Sequence, residues 1–156
     1  MLSINQHIIT FTGKPVREVG TVRFSPSFRL AVEDVRLIGR APRLVVDDES
    51  SFIVLVDKTQ AIHYFNTDLV ASDTLAQLEQ LFGFSFRNDT SAYTYEQYTQ
   101  GITEVVYPAS LRGKPLFKRW SWFSPRGLLK NVGYALGMDN PKWERMTAEV
   151  KTNIEW

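Results

Sequence analysis

The chain has 156 residues, of which 44% are hydrophobic and 22% are charged, and both fractions are close to those of ordinary globular domains. These values disfavour disorder and fibrous repeats, and the length predicts a single globular domain spanning residues 1–156. Cysteine is absent, which excludes disulfides, thiolate metal sites and cysteine nucleophiles, and fits a cytoplasmic location.

Neither a secretion signal nor a membrane span is predicted. The N-terminal stretch MLSINQHIITF lacks the basic start and continuous apolar run of a signal peptide. The apolar run FIVLV at 52–56 is far too short to cross a bilayer. We therefore expect a soluble cytoplasmic protein that has no membrane partner.

Charge is segregated along the chain although the net charge is only +1. Residues 47–104 hold ten acidic and two basic residues, a net charge of −8, whereas residues 105–138 hold six basic residues and no acidic one. If each block stays together on the surface, the fold has an acidic face and a basic face that steer charged partners. The alternative is that the two blocks face each other within the fold.

The N-terminal half predicts β-structure. Residues 4–11, 19–24 and 28–38 are rich in β-branched and aromatic residues and are separated by glycine, proline and serine. In the third segment the apolar alternation changes phase near Glu33 and Asp34, which predicts a bulge there. Residues 51–65 predict a hairpin whose polar turn lies at 57–60.

Helical spacing of apolar residues predicts helices near 73–82, 125–136 and 141–151. Further strands are expected at 84–86 and 102–107. One phase of the 52–56 strand is expected to be buried against apolar residues of the second helix, namely Leu128, Val132 and Leu136. The expected helix starts are Ser72 or Asp73, Ser124 with Pro125, and Asn140 with Pro141, while Gly83 is expected to end the first helix.

This order of elements predicts an α+β fold. Strands come mainly first and helices mainly later, so we expect an antiparallel sheet formed mainly by the N-terminal half. The three helices near 73–82, 125–136 and 141–151 are expected to pack against that sheet.

Catalytic and metal-binding motifs are not found in the sequence. His7 and His63 are the two histidines, and both fall in predicted strands, which leaves little material for a histidine base or an imidazole metal site. Glycine-rich phosphate loops, nucleophile elbows and zincin helices are absent from the sequence. The carboxylates Asp47, Asp48, Glu49 and Asp57 lack the spacing of a calcium loop, so 47–49 predicts a solvated turn. We predict no catalytic residue, cofactor or metal.

The segment FKRWSWFSPRGLLK at 117–130 combines basic and aromatic residues. One interpretation is a nucleic-acid surface, in which cations bind phosphates and aromatic rings stack on bases. The other is packing, which leaves Arg119, Arg126 and Lys130 exposed, and we favour it because aromatic rings buried in the core cannot stack on bases. The nucleic-acid interpretation uses Arg112, Lys114, Lys118, Arg119, Arg126 and Lys130.

The charge layout and the lack of motifs predict a small protein-binding module. In this hypothesis an acidic face covers a basic partner surface, in the manner of an immunity-type inhibitor, because complementary charges give fast and selective association. The proposed acidic face comprises Asp47, Asp48, Glu49, Asp57, Asp68, Asp73 and Glu79. Two alternatives stay open: a nucleic-acid-binding domain and a motif-free enzyme of unknown reaction.

Overall fold

The computed structural model describes residues 1–13, 27–45, 48–67, 70–85, 103–119, 123–125, 127–129, 132 and 144–156, and only the backbone of 42–45 and 48–50. Within these residues the chain forms an α+β fold, as the sequence predicts. Its elements in chain order are β1 (Leu2–Asn5), β2 (Ile8–Phe11), β3 (Phe28–Ala31), β4 (Val35–Val45), β5 (Asp48–Asp57), β6 (Ile62–Asn66), α1 (Ser72–Phe82), β7 (Glu104–Tyr107) and α2 (Ala148–Thr152).

The strands form two antiparallel sheets. One has three strands in the order β1-β2-β3, and the other has four in the order β6-β5-β4-β7. Six of these seven strands lie before residue 67, which confirms that the N-terminal half supplies most of the β-structure. The predicted hairpin at 51–65 is β5 and β6, and the predicted strand at 102–107 is β7.

The expected single strand at 4–11 is wrong, because the chain turns back between β1 and β2. Asn5 pairs with Ile8, and the two intervening residues, Gln6 and His7, have φ angles of 44° and 68°. Positive φ at both central residues is the geometry of a tight two-residue hairpin. Glycine and asparagine usually occupy these positions, so Gln6 and His7 give no turn signal in the sequence.

The predicted phase change near Glu33 is a change of sheet. A 3-10 turn, Val32–Asp34, separates β3 in the three-stranded sheet from β4 in the four-stranded sheet. The backbone amide of Lys58 donates to the carbonyl of Asp34 over 2.8 Å, and Lys58 Nζ lies 2.7 Å from Asp34 Oδ1. These contacts hold the β5–β6 turn against the crossover, so 28–38 is two strands and not one bulged strand.

The four-stranded sheet is buried on both faces. All residues of 52–56 are buried, so the expectation that only one phase would be buried is wrong. Ile53 and Leu55 pack in a core with the three-stranded sheet and α1, whereas Phe52, Val54 and Val56 pack under the C-terminal part of the chain. A middle layer needs apolar residues at every position, which explains the continuous run FIVLV.

Helix α1 is the helix predicted near 73–82. Gly83 ends it in the left-handed conformation with φ 66°, as the sequence predicts. The start differs, because Ala71 occupies the capping position and Ser72 and Asp73 already lie in the first turn. Leu78 is the fully buried residue of this helix and anchors it in the core with β1.

The helix predicted at 125–136 begins as expected but does not pack as expected. The amide of Gly127 donates to Ser124 Oγ over 3.0 Å, so Ser124 caps the helix. Residues 125, 127–129 and 132 are helical. Leu128 and Val132 are 54% and 47% exposed, so their predicted burial is wrong, while Leu136 lies outside the described residues. Other segments cover the middle sheet.

The helix predicted at 141–151 is shorter than expected. Residues 144–147 are not helical, and only α2 follows, capped by Thr147 Oγ1, which accepts from the amide of Val150 over 3.4 Å. The reason is backbone pairing, because Lys118 N donates to Arg145 O over 2.8 Å and Thr147 N to Leu116 O over 2.9 Å. The expected cap at 140–141 lies outside the described part of the chain.

Two further strands are predicted by the sequence, at 19–24 and at 84–86. The segment 19–24 lies outside the described residues. At 84–86 a strand was expected, but Phe84 and Ser85 are not in one. Phe84 instead places a buried side chain beside α1, in the same core as Leu78.

Gly39 in β4 is a position where a side chain does not fit. A Cβ atom there would lie 2.9 Å from Leu116 Cδ2, 3.0 Å from Thr103 Cγ2 and 3.3 Å from Glu104 O. Leu116 and Thr103 are buried, so neither can move aside without disturbing the core. We expect Gly39→Ala to lower the free energy of unfolding by about 1–2 kcal/mol through overpacking. Urea unfolding measures this, and a variant as stable as wild type would contradict the close packing.

Candidate functional site

Four large apolar side chains lie exposed on one short stretch of the chain. Phe123 is 99% exposed and Leu129 is 66% exposed, and Leu128 and Val132 are exposed beside them in sequence. Leu128 and Val132 are four residues apart, so they share one face of the helix. Large exposed apolar patches typically mark interaction sites, so this stretch is a candidate for one. We name these four residues the apolar surface.

Basic side chains precede the apolar surface. Arg112, Lys118 and Arg119 are exposed, as the nucleic-acid interpretation requires. Lys114 is also exposed, but its Nζ lies 2.9 Å from Glu149 Oε1 on α2, so part of its charge is neutralised within the fold. Two further members of the predicted basic set, at positions 126 and 130, lie outside the described residues.

The aromatic residues of the 117–130 segment do not share one environment. Phe117 is buried and stacks on Tyr64 with ring centroids 6.5 Å apart, so it packs as predicted. Phe123 is exposed, contrary to the packing interpretation. The two tryptophans between them lie outside the described part of the chain. The segment therefore combines an anchored start at Phe117 with an exposed apolar continuation.

The predicted acidic face is not assembled by the residues that the structure describes. Asp57 was predicted to lie on this face, but it is buried: it is only 8% exposed, and its carboxylate is hydrogen-bonded within the hairpin turn. Asp48 and Glu49 belong to β5, paired with Val45 and Leu44, and not to a solvated turn. Asp73 is exposed in the first turn of α1, Glu79 is partly buried on the same helix, and positions 47 and 68 lie outside the described residues.

Asp57 and His63 form a polar pair that the sequence interpretation missed. His63 Nε2 lies 2.9 Å from Asp57 Oδ2, and the His63 ring packs on Phe28 with centroids 5.0 Å apart. Asp57 Oδ1 accepts from Thr59 N, Thr59 Oγ1 and Ala61 N over 2.8, 2.6 and 3.1 Å. The predicted hairpin could have revealed this pair. Leu55 pairs with His63, so residue 57 lies diagonally opposite His63 on the same face of the sheet.

The environment of Asp57 keeps its carboxylate ionised. Burial alone would raise the pKa of Asp57, but the hydrogen bonds from His63, Thr59 and Ala61 outweigh it and hold the pKa below its usual value. Because both carboxylate oxygens already accept hydrogen bonds, this pair serves to fix the turn between β5 and β6.

A polar cleft lies beside the C-terminal end of α1. Its volume is about 600 Å³, and its lining includes Glu79 from the helix and Arg112 from the segment that follows β7. Sequence interpretation placed these two residues in different functional sets, because only the tertiary structure brings α1 beside residue 112. The cleft is lined by Ala76, Glu79, Gln80, Gly83, Phe84, Ser85 and Arg112.

The described residues offer neither a metal cluster nor a membrane-spanning helix. Among the residues that the structure describes, no three histidine, aspartate or glutamate side chains are grouped so that they could hold a metal ion. In the same part of the chain, no helix is both long and apolar enough to cross a membrane. Comparison of the chain with protein-family models, with curated proteins and with solved structures finds no match.

Proposed function

We propose that this chain is a small protein-binding module that docks an acidic partner through the apolar surface and the basic residues Lys118 and Arg119. The observation that supports it most is the exposure of Phe123, Leu128 and Leu129 on a stretch of chain that contains no acidic residue. The proposal assigns the chain a binding role and no catalytic step.

Burial of the apolar surface supplies the affinity in this proposal. Transferring one leucine or phenylalanine side chain fully out of water stabilises a complex by about 1.5–3 kcal/mol. Aromatic and aliphatic side chains at the centre of an interface, surrounded by charged residues, are the arrangement typical of protein–protein contacts. Ser124 caps the helix that carries Leu128 and Leu129, so these anchors start from an ordered backbone.

Charge decides the kind of partner. Residues 105–138 hold six basic residues and no acidic one, and Lys118 and Arg119 are exposed immediately before the apolar surface. An acidic rim on the partner would complement them and speed association. The proposal therefore reverses the earlier expectation of a basic partner. The predicted acidic face gives little support to a basic partner, because Asp57 is buried. Among the described side chains of that face, only Asp73 is fully exposed.

Nucleic acid is the second candidate, and exposed Arg112, Lys118 and Arg119 favour it. Single-stranded nucleic acid binds through cations and through aromatic faces on which bases stack. Leucine has no such face, and two of the four residues in the apolar surface are leucines. A protein partner can therefore bury all four exposed apolar side chains, whereas a nucleic acid could stack only on Phe123.

The proposal is tested with three variants that separate apolar from basic contributions. The apolar variant is Leu128→Ser with Leu129→Ser, and the basic variant is Lys118→Ser with Arg119→Ser. Leu81→Ser is the matched control, because Leu81 is also exposed, at 41%, but lies on α1. Circular dichroism and thermal unfolding first establish that all variants keep the fold.

Each variant is measured against the partner isolated on the wild-type chain from cell lysate, a mixed-sequence single-stranded oligonucleotide, and anionic lipid vesicles. We expect the apolar variant to bind the isolated protein at least about tenfold more weakly, through faster dissociation. The basic variant should slow association, and the control should match wild type. If oligonucleotide or vesicles bind wild type while no protein is retained, the protein-binding proposal is wrong.

A further inference from the structure

Two cations lie side by side where the segment that follows β7 pairs with the segment that precedes α2. Phe117 and Met146 form an antiparallel bridge, and the amide of Lys118 donates to the carbonyl of Arg145 over 2.8 Å. Lys118 and Arg145 are therefore directly opposite each other, an arrangement in which Cβ atoms are about 4.5–5.5 Å apart. We infer that this pair, called the cation pair below, binds a phosphate monoester carried by a phosphorylated side chain of the protein partner.

Both side chains of the cation pair are directed away from the core. Glu144 and Met146, on either side of Arg145, are buried, whereas Arg145 is exposed. Successive residues of an extended segment face opposite sides, so the Arg145 side chain leaves on the side opposite to Glu144 and Met146. Lys118 is also exposed, although Phe117 before it is buried. Both cations therefore reach solvent from neighbouring positions.

The cation pair has no counter-charge within the described part of the chain. Neither side chain makes a hydrogen bond or an ion pair there. Glu149, four residues after Arg145, is already engaged, because its Oε1 lies 2.9 Å from Lys114 Nζ. Like charges directly opposite each other destabilise a pair of strands, so this arrangement does not serve folding. Local arrangements that oppose folding are typical of functional sites.

The backbone under the cation pair is fixed before a ligand binds. The amide of Thr147 donates to Leu116 O over 2.9 Å, and Thr147 Oγ1 donates to Pro115 O over 3.1 Å. Phe117 and Met146, which form the bridge, are both buried in the core under the four-stranded sheet. Only the two long side chains therefore have to be ordered by a ligand, which lowers the entropic cost of binding.

Two adjacent positive charges select a dianion. A phosphate monoester carries a charge of about −1.5 to −2 near pH 7 and offers three acceptor oxygens, whereas a carboxylate carries a single negative charge. The Arg145 guanidinium matches two of these oxygens with paired N–H donors, and the Lys118 ammonium group binds the third as a point charge. A nucleic-acid phosphodiester has one charge per phosphate and leaves one cation unmatched. The exposed side chains of Phe123 and Leu128, further along the chain, favour a protein as the carrier.

Blocked tripeptides with one central residue between two alanines test the choice of ligand. The central residue is phosphoserine, aspartate or serine, and NMR titration at millimolar concentrations follows the backbone amides of Lys118 and Arg145. We expect the phosphoserine peptide to bind at least about tenfold more tightly than the aspartate peptide, because a dianion contacts both cations. The serine peptide should not bind. A phosphoserine peptide that fails to bind, or binds no better than the aspartate peptide, would overturn the inference.

Single variants assign the binding to the cation pair. Arg145→Gln and Lys118→Gln should each remove the preference for phosphoserine over aspartate. Arg29→Gln is the matched control and should bind like wild type, because Arg29 is also exposed but lies in β3. Circular dichroism first establishes that all three variants keep the fold. The inference is wrong if Arg145→Gln binds like the control, or if a single-stranded oligonucleotide or anionic vesicles occupy the cation pair more tightly than the phosphoserine peptide does.

The inference rests on the proposed function for the carrier of the phosphate, but the two fail separately. The tripeptides have no large apolar side chain, so their binding does not depend on Leu128 or Leu129. If they show no preference for phosphate while the apolar variant loses its protein partner, the proposed function stands and the inference is wrong. If the phosphoserine peptide binds while no protein is retained, the phosphate site stands and the proposed function is wrong.

Phosphatase treatment of the isolated partner tests the carrier directly. It should weaken binding of the partner to wild type at least about tenfold and leave its binding to Arg145→Gln unchanged. A partner whose binding to wild type is unaffected by phosphatase would contradict the inference.

Discussion

Replacing Phe65 by alanine is expected to lower the free energy of unfolding by about 3–5 kcal/mol, the largest single effect we predict. Phe65 in β6 is fully buried and stacks on Phe11 of β2, with ring centroids 5.8 Å apart. It also contacts Phe28 of β3 at 6.4 Å. The ring therefore joins the four-stranded sheet to the three-stranded sheet, and its loss leaves a cavity between two layers that cannot collapse easily.

The matched control for this change is Phe123→Ala. Phe123 has the same side chain but is 99% exposed, so its removal should change the free energy of unfolding by less than about 0.5 kcal/mol. Urea unfolding of wild type and both variants gives the comparison. A loss below about 1 kcal/mol for Phe65→Ala would contradict the proposed packing between the sheets.

Replacing Asp57 by alanine is expected to cost about 2–3 kcal/mol at neutral pH. The carboxylate accepts three hydrogen bonds from Thr59 and Ala61 and contacts His63 Nε2, and each such bond contributes about 0.5–1.5 kcal/mol. Without it, the turn between β5 and β6 loses its internal acceptor. Urea unfolding at pH 7 measures the loss, and an Asp57→Ala variant as stable as wild type would show that the turn forms without the carboxylate.

The same residue makes stability depend on pH in a defined direction. The folded state holds the pKa of Asp57 below its usual value, so the unfolded state takes up the proton first as the pH falls. The stabilising contribution is therefore complete above the unfolded-state pKa of about 4 and is lost as the pH falls through the folded-state pKa.

Asp57→Asn isolates this contribution, because asparagine keeps an acceptor oxygen and cannot titrate. The stability difference between wild type and Asp57→Asn should shrink as the pH falls from about 5 to about 3. Taking the difference removes the other carboxyl groups, which titrate in both proteins. A difference that stays constant or grows between about pH 5 and about pH 3 would contradict the lowered pKa.

Local patterns in the sequence were enough to predict several individual elements. The end of α1 at Gly83, the start of a helix at Ser124, and the hairpin of β5 and β6 follow from residue types a few positions apart. A left-handed residue after a helix or a serine that caps one depends on nearby backbone groups alone. For the same reason the α+β class and the N-terminal position of most strands could be predicted.

Tertiary structure decided what lies on each side of these elements. The run 52–56 is apolar at every position, but only the second layer of packing shows that both of its faces are buried. Leu128 and Val132 have a helical apolar pattern that predicts a core, yet they are exposed because Leu116, Phe117, Met146 and Val150 already cover that face of the middle sheet. Periodicity shows which residues share a face, and not what the face meets.

For the candidate sites, too, the sequence determined some features and the tertiary structure decided others. The sequence by itself determined that positive charge is concentrated in 105–138 and negative charge in 47–104, because charge is a property of residue type. The surroundings of each charge depended on contacts between elements: Asp57 is turned inward by a hairpin, Lys114 is paired with Glu149, and Glu79 and Arg112 line the same cleft. Residues far apart in the chain come together only when the sheets and helices pack, so these sites were decided by the tertiary structure.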